Sequence, residues 1–204
     1  PILNTWFDRP LSIAGRVAVR TENPLKPKEL IVDLKEPLMV IPNLAIHMNR
    51  KVNEGASINL QVDTLPVLSV IEENMEKENY LVKLISERID MDFEDILDFD
   101  LFLYSTEKGT LIGPKEEFIS IGKLDDLAMV HAGLCGIVDS QVNNATNVLV
   151  CFDNEEVGSS TKQGAASPLL RTVLERICIA FGKNREDYYR ALSNSFMISA
   201  DMAH

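Results

Sequence analysis

The chain has 204 residues, 46% of them hydrophobic and 25% charged. These are ordinary globular proportions, and they exclude a disordered or low-complexity protein. Its 31 acidic and 20 basic residues leave a formal net charge of -11, which repels a phosphate backbone and argues against nucleic acid as a partner. No apolar run nears the ~18 residues that a transmembrane helix needs, and the opening Pro1-Ile2-Leu3-Asn4-Thr5-Trp6 lacks the basic-then-apolar order of a signal peptide.

In chain order, residues 8 to about 118 read mainly as strands with one or two helices. Leu11 to Thr21 alternates loosely, with Ile13, Val17 and Val19 apolar. Leu30 to Leu34 is a short strand candidate, and Pro24, Pro27 and Pro37 mark turns or edges. Leu81, Leu84, Ile85 and Ile89 recur at helical spacing and predict a helix over 77–90. Ile96 to Tyr104 gives a further strand.

From about residue 121 the pattern changes to strands alternating with helices, an α/β pattern. Asp125 or Asp126 can cap a helix to about Ser140, with Leu127, Val130, Leu134, Ile137 and Val138 on its apolar face. Asn147 to Phe152 is nearly continuous in apolar residues, as a strand buried on both faces would be. Ser167-Pro168 opens a helix through Leu169, Leu170, Val173, Leu174, Ile177 and Cys178. Ser195 to Ala200 reads as another buried strand. Cys135, Cys151 and Cys178 sit singly in apolar stretches, which predicts buried thiols in a reducing compartment and favours the cytoplasm.

Acids stand where such a sheet binds ligands, beyond the carboxyl ends of its strands. The run 147–152 leads into Asp153-Asn154-Glu155-Glu156, the run 195–200 leads into Asp201, and Asp125-Asp126 opens the helix before the first of these strands. Like charges gathered at equivalent places point to a shared cation site. Adjacent extended residues face opposite ways, so Glu155 and Glu156 divide more naturally into a general base and a metal ligand. Gly158 and Gly164 let that loop turn sharply. Simpler readings stand beside these: a solvated loop for the glutamates, a helix cap for Asp125 and a turn residue for Asp201.

Six segments carry a resemblance: TWFDRPLSIAGRV (5–17), IPNLAIHMNRKVNEG (41–55), ILDFDLFLY (96–104), KLDDLAMVHAGLCGI (123–137), FDNEEVGSSTKQGAAS (152–167) and SADMAH (199–204). In this order they are similar to the M18 family of metallo-aminopeptidases, which includes aspartyl aminopeptidase. The resemblance implies part of an α/β catalytic domain of zinc-peptidase type, interrupted by a mainly β dimerisation domain. Residues 1–7 and 119–204 would belong to the catalytic domain and residues 8–118 to the insert. It implies a zinc enzyme that releases N-terminal residues, with Asp or Glu as one possible preference, from peptide substrates. Two zinc ions would serve each site, with cobalt or manganese as substitutes, and subunits would join through dimers into dodecamers.

Residue by residue, the resemblance makes Asp125 the carboxylate that bridges two zinc ions, Glu155 the general base and Glu156 a zinc ligand. Asp201 matches a ligand of the other zinc that lies near substrate, and His204 a substrate-contacting histidine. His47 matches a histidine that reaches a neighbouring subunit's active site and steadies the transition state. His131 matches no catalytic position. Lys123 and Asp126 stand where the family usually has Arg and Asn. The family's two histidine ligands have no counterpart within residues 1–204, so an internal fragment, inactive or nearly so alone, is the expectation. Two alternatives are an assembly module of the same fold without a working site, and a related co-catalytic metallopeptidase with another amide substrate.

Overall fold

Alternating apolar side chains build the first sheet. Strand β1 (Leu11–Val19) turns Leu11, Ile13, Val17 and Val19 to one face, and all four are buried. It lies between β2 (Lys28–Asp33) and β3 (Ile96–Ser105), antiparallel to both. Val17 is level with Leu30 on one side and Phe99 on the other. The computed structural model describes residues 2–70, 79–141 and 144–202. Within it the chain divides into two compact units, Pro1–Thr110 and Leu111–His204.

The core of the first unit gathers Leu11, Ile13, Val17, Val19, Val32, Leu34, Met39, Ile41 and Ile85. Helix α1 (Tyr80–Ile89) adds Ile85, fully buried, and packs Leu81, Leu84 and Ile89 around it. The helical spacing thus predicts this element well, although residues 77 and 78 of the expected span lie outside the described residues. Burying each large aliphatic side chain contributes roughly 1.5–3 kcal/mol. Gly15 lets β1 and β3 close together, because a Cβ there would stand 2.1 Å from the Asp100 carbonyl oxygen. On the opposite face, Arg16 lies 3.3 Å from Asp100 and 3.7 Å from Glu29, tying both outer strands to the middle one.

The second unit is built differently. A two-stranded sheet joins β4 (Thr110–Ile112) to β5 (Phe118–Ser120). Three helices follow: α2 (Leu124–Val138), α3 (Leu169–Ala180) and α4 (Arg185–Ser193). Helix α4 is opened by a capping box in which the Asn184 side chain accepts from the Asp187 backbone and the Asp187 side chain accepts from that of Asn184. It packs Tyr188, 2% exposed, against α3, where its hydroxyl donates to the Arg171 carbonyl at 3.4 Å. Among the described residues Tyr188 is the second unit's only buried large apolar side chain.

Two expectations for this unit differ from what is seen. Residues 147–152 and 195–200 form no strand, and Val148, Phe196, Met197 and Ile198 are exposed. An apolar run becomes a strand only beside a hydrogen-bonding neighbour about 4.8 Å away, and among the described residues no strand of this chain lies along either segment. The thiols differ as well: Cys135 and Cys151 are exposed and Cys178 is half-buried.

Candidate metal centre

The start of α2 is not regular helix. Lys123 is left-handed at φ 65°, Asp125 and Asp126 have non-helical dihedrals, and the peptide bond between the two aspartates is cis. Neither aspartate caps the helix: the cap position is Lys123, and no side chain accepts a cap hydrogen bond. The two carboxylates instead meet that of Asp201. One oxygen from each of Asp125, Asp126 and Asp201 lies within 4.8 Å of the other two.

The crowding has an electrostatic signature. Desolvation, followed by the charge and hydrogen bond of Asp201 and the charges of Asp126 and Glu156, holds the Asp125 carboxyl above its ordinary range. Asp126 Oδ1 is buried and has no hydrogen-bond partner. A buried anionic oxygen without a donor is costly, and like charges so close are tolerated when a proton or a cation stands between them. The residues present therefore fit a divalent cation, with oxygen donors, one of them an otherwise orphaned atom. Asp201 also makes a local turn, its Oδ1 accepting from the Met202 backbone at 2.8 Å.

The loop carrying the glutamates is held by its own side chains. Asn154 is left-handed at φ 62°, and its carboxamide donates to Thr161 Oγ1 and Gln163 Oε1, both at 3.3 Å. The Gly158 backbone donates to the Asn154 carbonyl at 2.8 Å, and that of Asp153 to the Gln163 carbonyl at 3.3 Å. Gly158 takes φ 139°, open to glycine alone without strain. Gly164 is buried where a Cβ would fall 2.2 Å from the Ser159 carbonyl oxygen. Both glycines thus serve the sharp turns expected of them. Glu155 and Glu156 are presented exposed at the head of this loop.

The sequence-predicted residues divide accordingly. Asp125 and Asp201 are brought together, and Glu156 is near enough for its charge to act on Asp125. Glu155 is exposed on the same loop. His47 lies exposed in a turn of the first unit, and His204 lies outside the described residues. His131 is exposed, with Nε2 3.7 Å from Cys135 Sγ one helical turn on. Asp126 was missed as a candidate ligand. Its signal was the adjacent pair of acids at a helix start, where a single cap needs only one.

Comparison with known proteins places the whole chain in one family. The family model described as aminopeptidase I zinc metalloprotease (M18) matches residues 1–204. A probable M18 family aminopeptidase 2 of Clostridium novyi is 59% identical over 204 residues, 100% of this chain and 47% of that protein. A chain in the cryo-EM structure of the Ape4 and Nbr1 complex superposes with a TM-score of 0.84 at 35% identity, over 100% of this chain and 42% of that one. The mApe1 dodecamer of S. cerevisiae gives a TM-score of 0.69 at 26% identity, over 98% of this chain and 45% of that one. The chain thus spans about half the length of the curated relatives it matches, and it has the fold of that stretch of the M18 structures. On the match across all its residues, this chain belongs to the M18 family of zinc metalloproteases.

Proposed function

We propose that the full-length protein is a zinc-dependent aminopeptidase, and that this chain supplies the acidic part of its metal site and its general base. The observation that carries the reading is the gathering of Asp125, Asp126 and Asp201, with Asp126 Oδ1 left without a donor. Asp125, Glu156 and Asp201 would hold two zinc ions, with cobalt or manganese as substitutes, and Asp126 adds a fourth carboxylate beside them. Zinc, when bound, polarises the scissile carbonyl and lowers the pKa of the attacking water.

Glu155, exposed on the loop clamped by Asn154, takes a proton from that water at a carboxylate oxygen and returns it to the leaving amine. His204 contacts substrate, and Asp201 lies beside it. His47, contributed from another subunit, stabilises the oxyanion. Residues 8–118 form a mainly β dimerisation domain inserted in an α/β catalytic domain of zinc-peptidase type, to which residues 1–7 and 119–204 belong. The substrates are peptides, with acidic N-terminal residues one possible preference, and the assembly is a homo-oligomer built on dimers. Among the described residues no helix is long and apolar enough to cross a membrane, and the cytoplasm is the compartment proposed.

Glu155→Gln in the full-length protein tests the reading. Release of N-terminal residues should fall by at least ~100-fold, the lower bound for losing a general base, while zinc content by elemental analysis stays at the wild-type level. Substantial turnover in that variant would remove Glu155 from the chemistry.

A further inference from the structure

Strand β3 is an edge of its sheet, and its outer side has no strand beside it among the described residues. The side on which each backbone group points follows from two bonds. The Thr106 N–H donates to the Pro10 carbonyl of β1's side at 3.1 Å, while the Phe99 N–H is taken by its neighbour Asp98 Oδ1 at 2.8 Å. Even-numbered positions from Asp98 to Tyr104 therefore bond to β1, and Phe99, Leu101 and Leu103 present their N–H and C=O groups outward; before Asp98 a register shift breaks the alternation, and the Asp95 carbonyl accepts from the Arg20 N–H at 2.8 Å.

This edge is only partly protected. A register shift disturbs its start and Asp98 and Asp100 lie along it, but it holds no Lys and no Pro and exposes Phe99 and Phe102 at 40% and 65%. A long apolar edge of this kind is a pairing template. We propose that β3 pairs antiparallel with β3 of a second copy, about a two-fold axis at Leu101, so that the two sheets become one. This rests on the homo-oligomeric reading above and assigns the surface that performs it.

Charge excludes two registers and permits the one centred on Leu101. Asp98, Asp100, Phe102 and Tyr104 share one face of the strand. An axis at Phe99 sets Asp98 opposite Asp100 of the other copy, and an axis at Asp100 sets that acid opposite itself. Both place like charges face to face. An axis at Leu101 sets Asp100 opposite Phe102 and Asp98 opposite Tyr104. On the other face it sets Phe99 opposite Leu103 and Leu101 opposite its own copy. The overlap then runs from Asp98 to Tyr104, with apolar side chains meeting apolar ones on the face of Phe99, Leu101 and Leu103, and the interface is self-complementary, as a two-fold contact must be. The Phe99 N–H exchanges the Asp98 side chain for the carbonyl of Leu103 in the other copy.

The test uses the exposed Phe102, whose substitution leaves the core untouched, in the full-length protein. Phe102→Asp places acids opposite Asp100 twice per two-fold axis, and self-association followed by light scattering across a dilution series should weaken about tenfold. Phe102→Lys places a cation opposite the same Asp100 and should keep the wild-type mass. An Asp variant that associates as tightly as wild type, or a Lys variant that weakens as much as the Asp variant, overturns the β3 edge while leaving the homo-oligomer in place. A wild-type protein that is monomeric at every concentration overturns the homo-oligomer itself.

Discussion

The carboxamide of Asn154 reaches across its loop to Thr161 Oγ1 and Gln163 Oε1, and so spans the turn that presents Glu155 and Glu156. Asn154 does two jobs there, since its backbone is also left-handed. Asn154→Gly keeps the backbone available and removes both bonds, whereas Asn154→Ala disfavours the backbone as well. The expected order of kcat is wild type, then Gly, then Ala, with Ala down roughly tenfold or more, as misplacing a catalytic group commonly costs. KM should move little in both variants. A purely structural role would lower the amount of folded enzyme and leave kcat per folded molecule unchanged.

Asp125 predicts a pH dependence with a definite sign. Its carboxyl is held above the usual value of 3.8 in the folded protein by desolvation and by Asp201. The folded state therefore keeps this proton longer than the unfolded state does. Metal-free protein should lose stability as pH rises from about 4 through the raised value. Urea midpoints in chelator should fall across that window in wild type relative to Asp125→Asn. Zinc should restore them, because the cation replaces the proton among the carboxylates. Parallel curves for the two proteins would show that Asp125 is not strained by its neighbours.

Gly15→Ala should part β1 from β3. The added Cβ would meet the Asp100 carbonyl oxygen at 2.1 Å and Leu101 Cα at 2.9 Å, both backbone atoms that cannot swing away. A loss of about 1–3 kcal/mol is expected, as for other overpacked sites, read as a lower midpoint in chemical unfolding of the first unit.

Tyr104 donates its hydroxyl to Asp33 Oδ1 at 2.5 Å, an oxygen that also accepts from the Lys35 backbone at 3.1 Å. The Asp33 bond, followed by burial, raises the phenol above 10.0. Tyr104→Phe should cost ~1 kcal/mol at neutral pH. That difference should disappear above the raised value, where the wild-type phenolate faces the Asp33 carboxylate. Difference spectra should show a late-ionising tyrosine in the wild type that is missing from Tyr104→Phe.

The first unit was legible in the sequence because its pattern and partners lie in the same stretch of chain. Alternation at Ile13, Val17 and Val19 finds β2 and β3 within 90 residues, and the strand ends fall within a residue or two of those expected. In the second unit the runs at 147–152 and 195–200 have the composition of strands but, among the described residues, no neighbours to pair with, and composition alone does not supply a ladder. Helix α4 escaped notice because its polar surface hides its period, although Asn184 and Asp187 spelled a capping box. For the site, the convergence of Asp125 and Asp201 was readable from acids placed after apolar runs. The entry of Asp126 had only a weak signal, the second acid of the Asp125-Asp126 pair, because its position depends on how the backbone turns at the start of α2.

The core described for the first unit has a practical consequence for anyone following this protein by light. The only tryptophan of the chain, Trp6, packs against that core, whereas the second unit buries little beyond Tyr188. Within this chain, indole fluorescence is therefore a witness to the unit without the acidic cluster. Heating could loosen the neighbourhood of Asp125 and Glu155 while the emission stays constant, and a probe placed on α2 or α3 would register a transition to which Trp6 is blind.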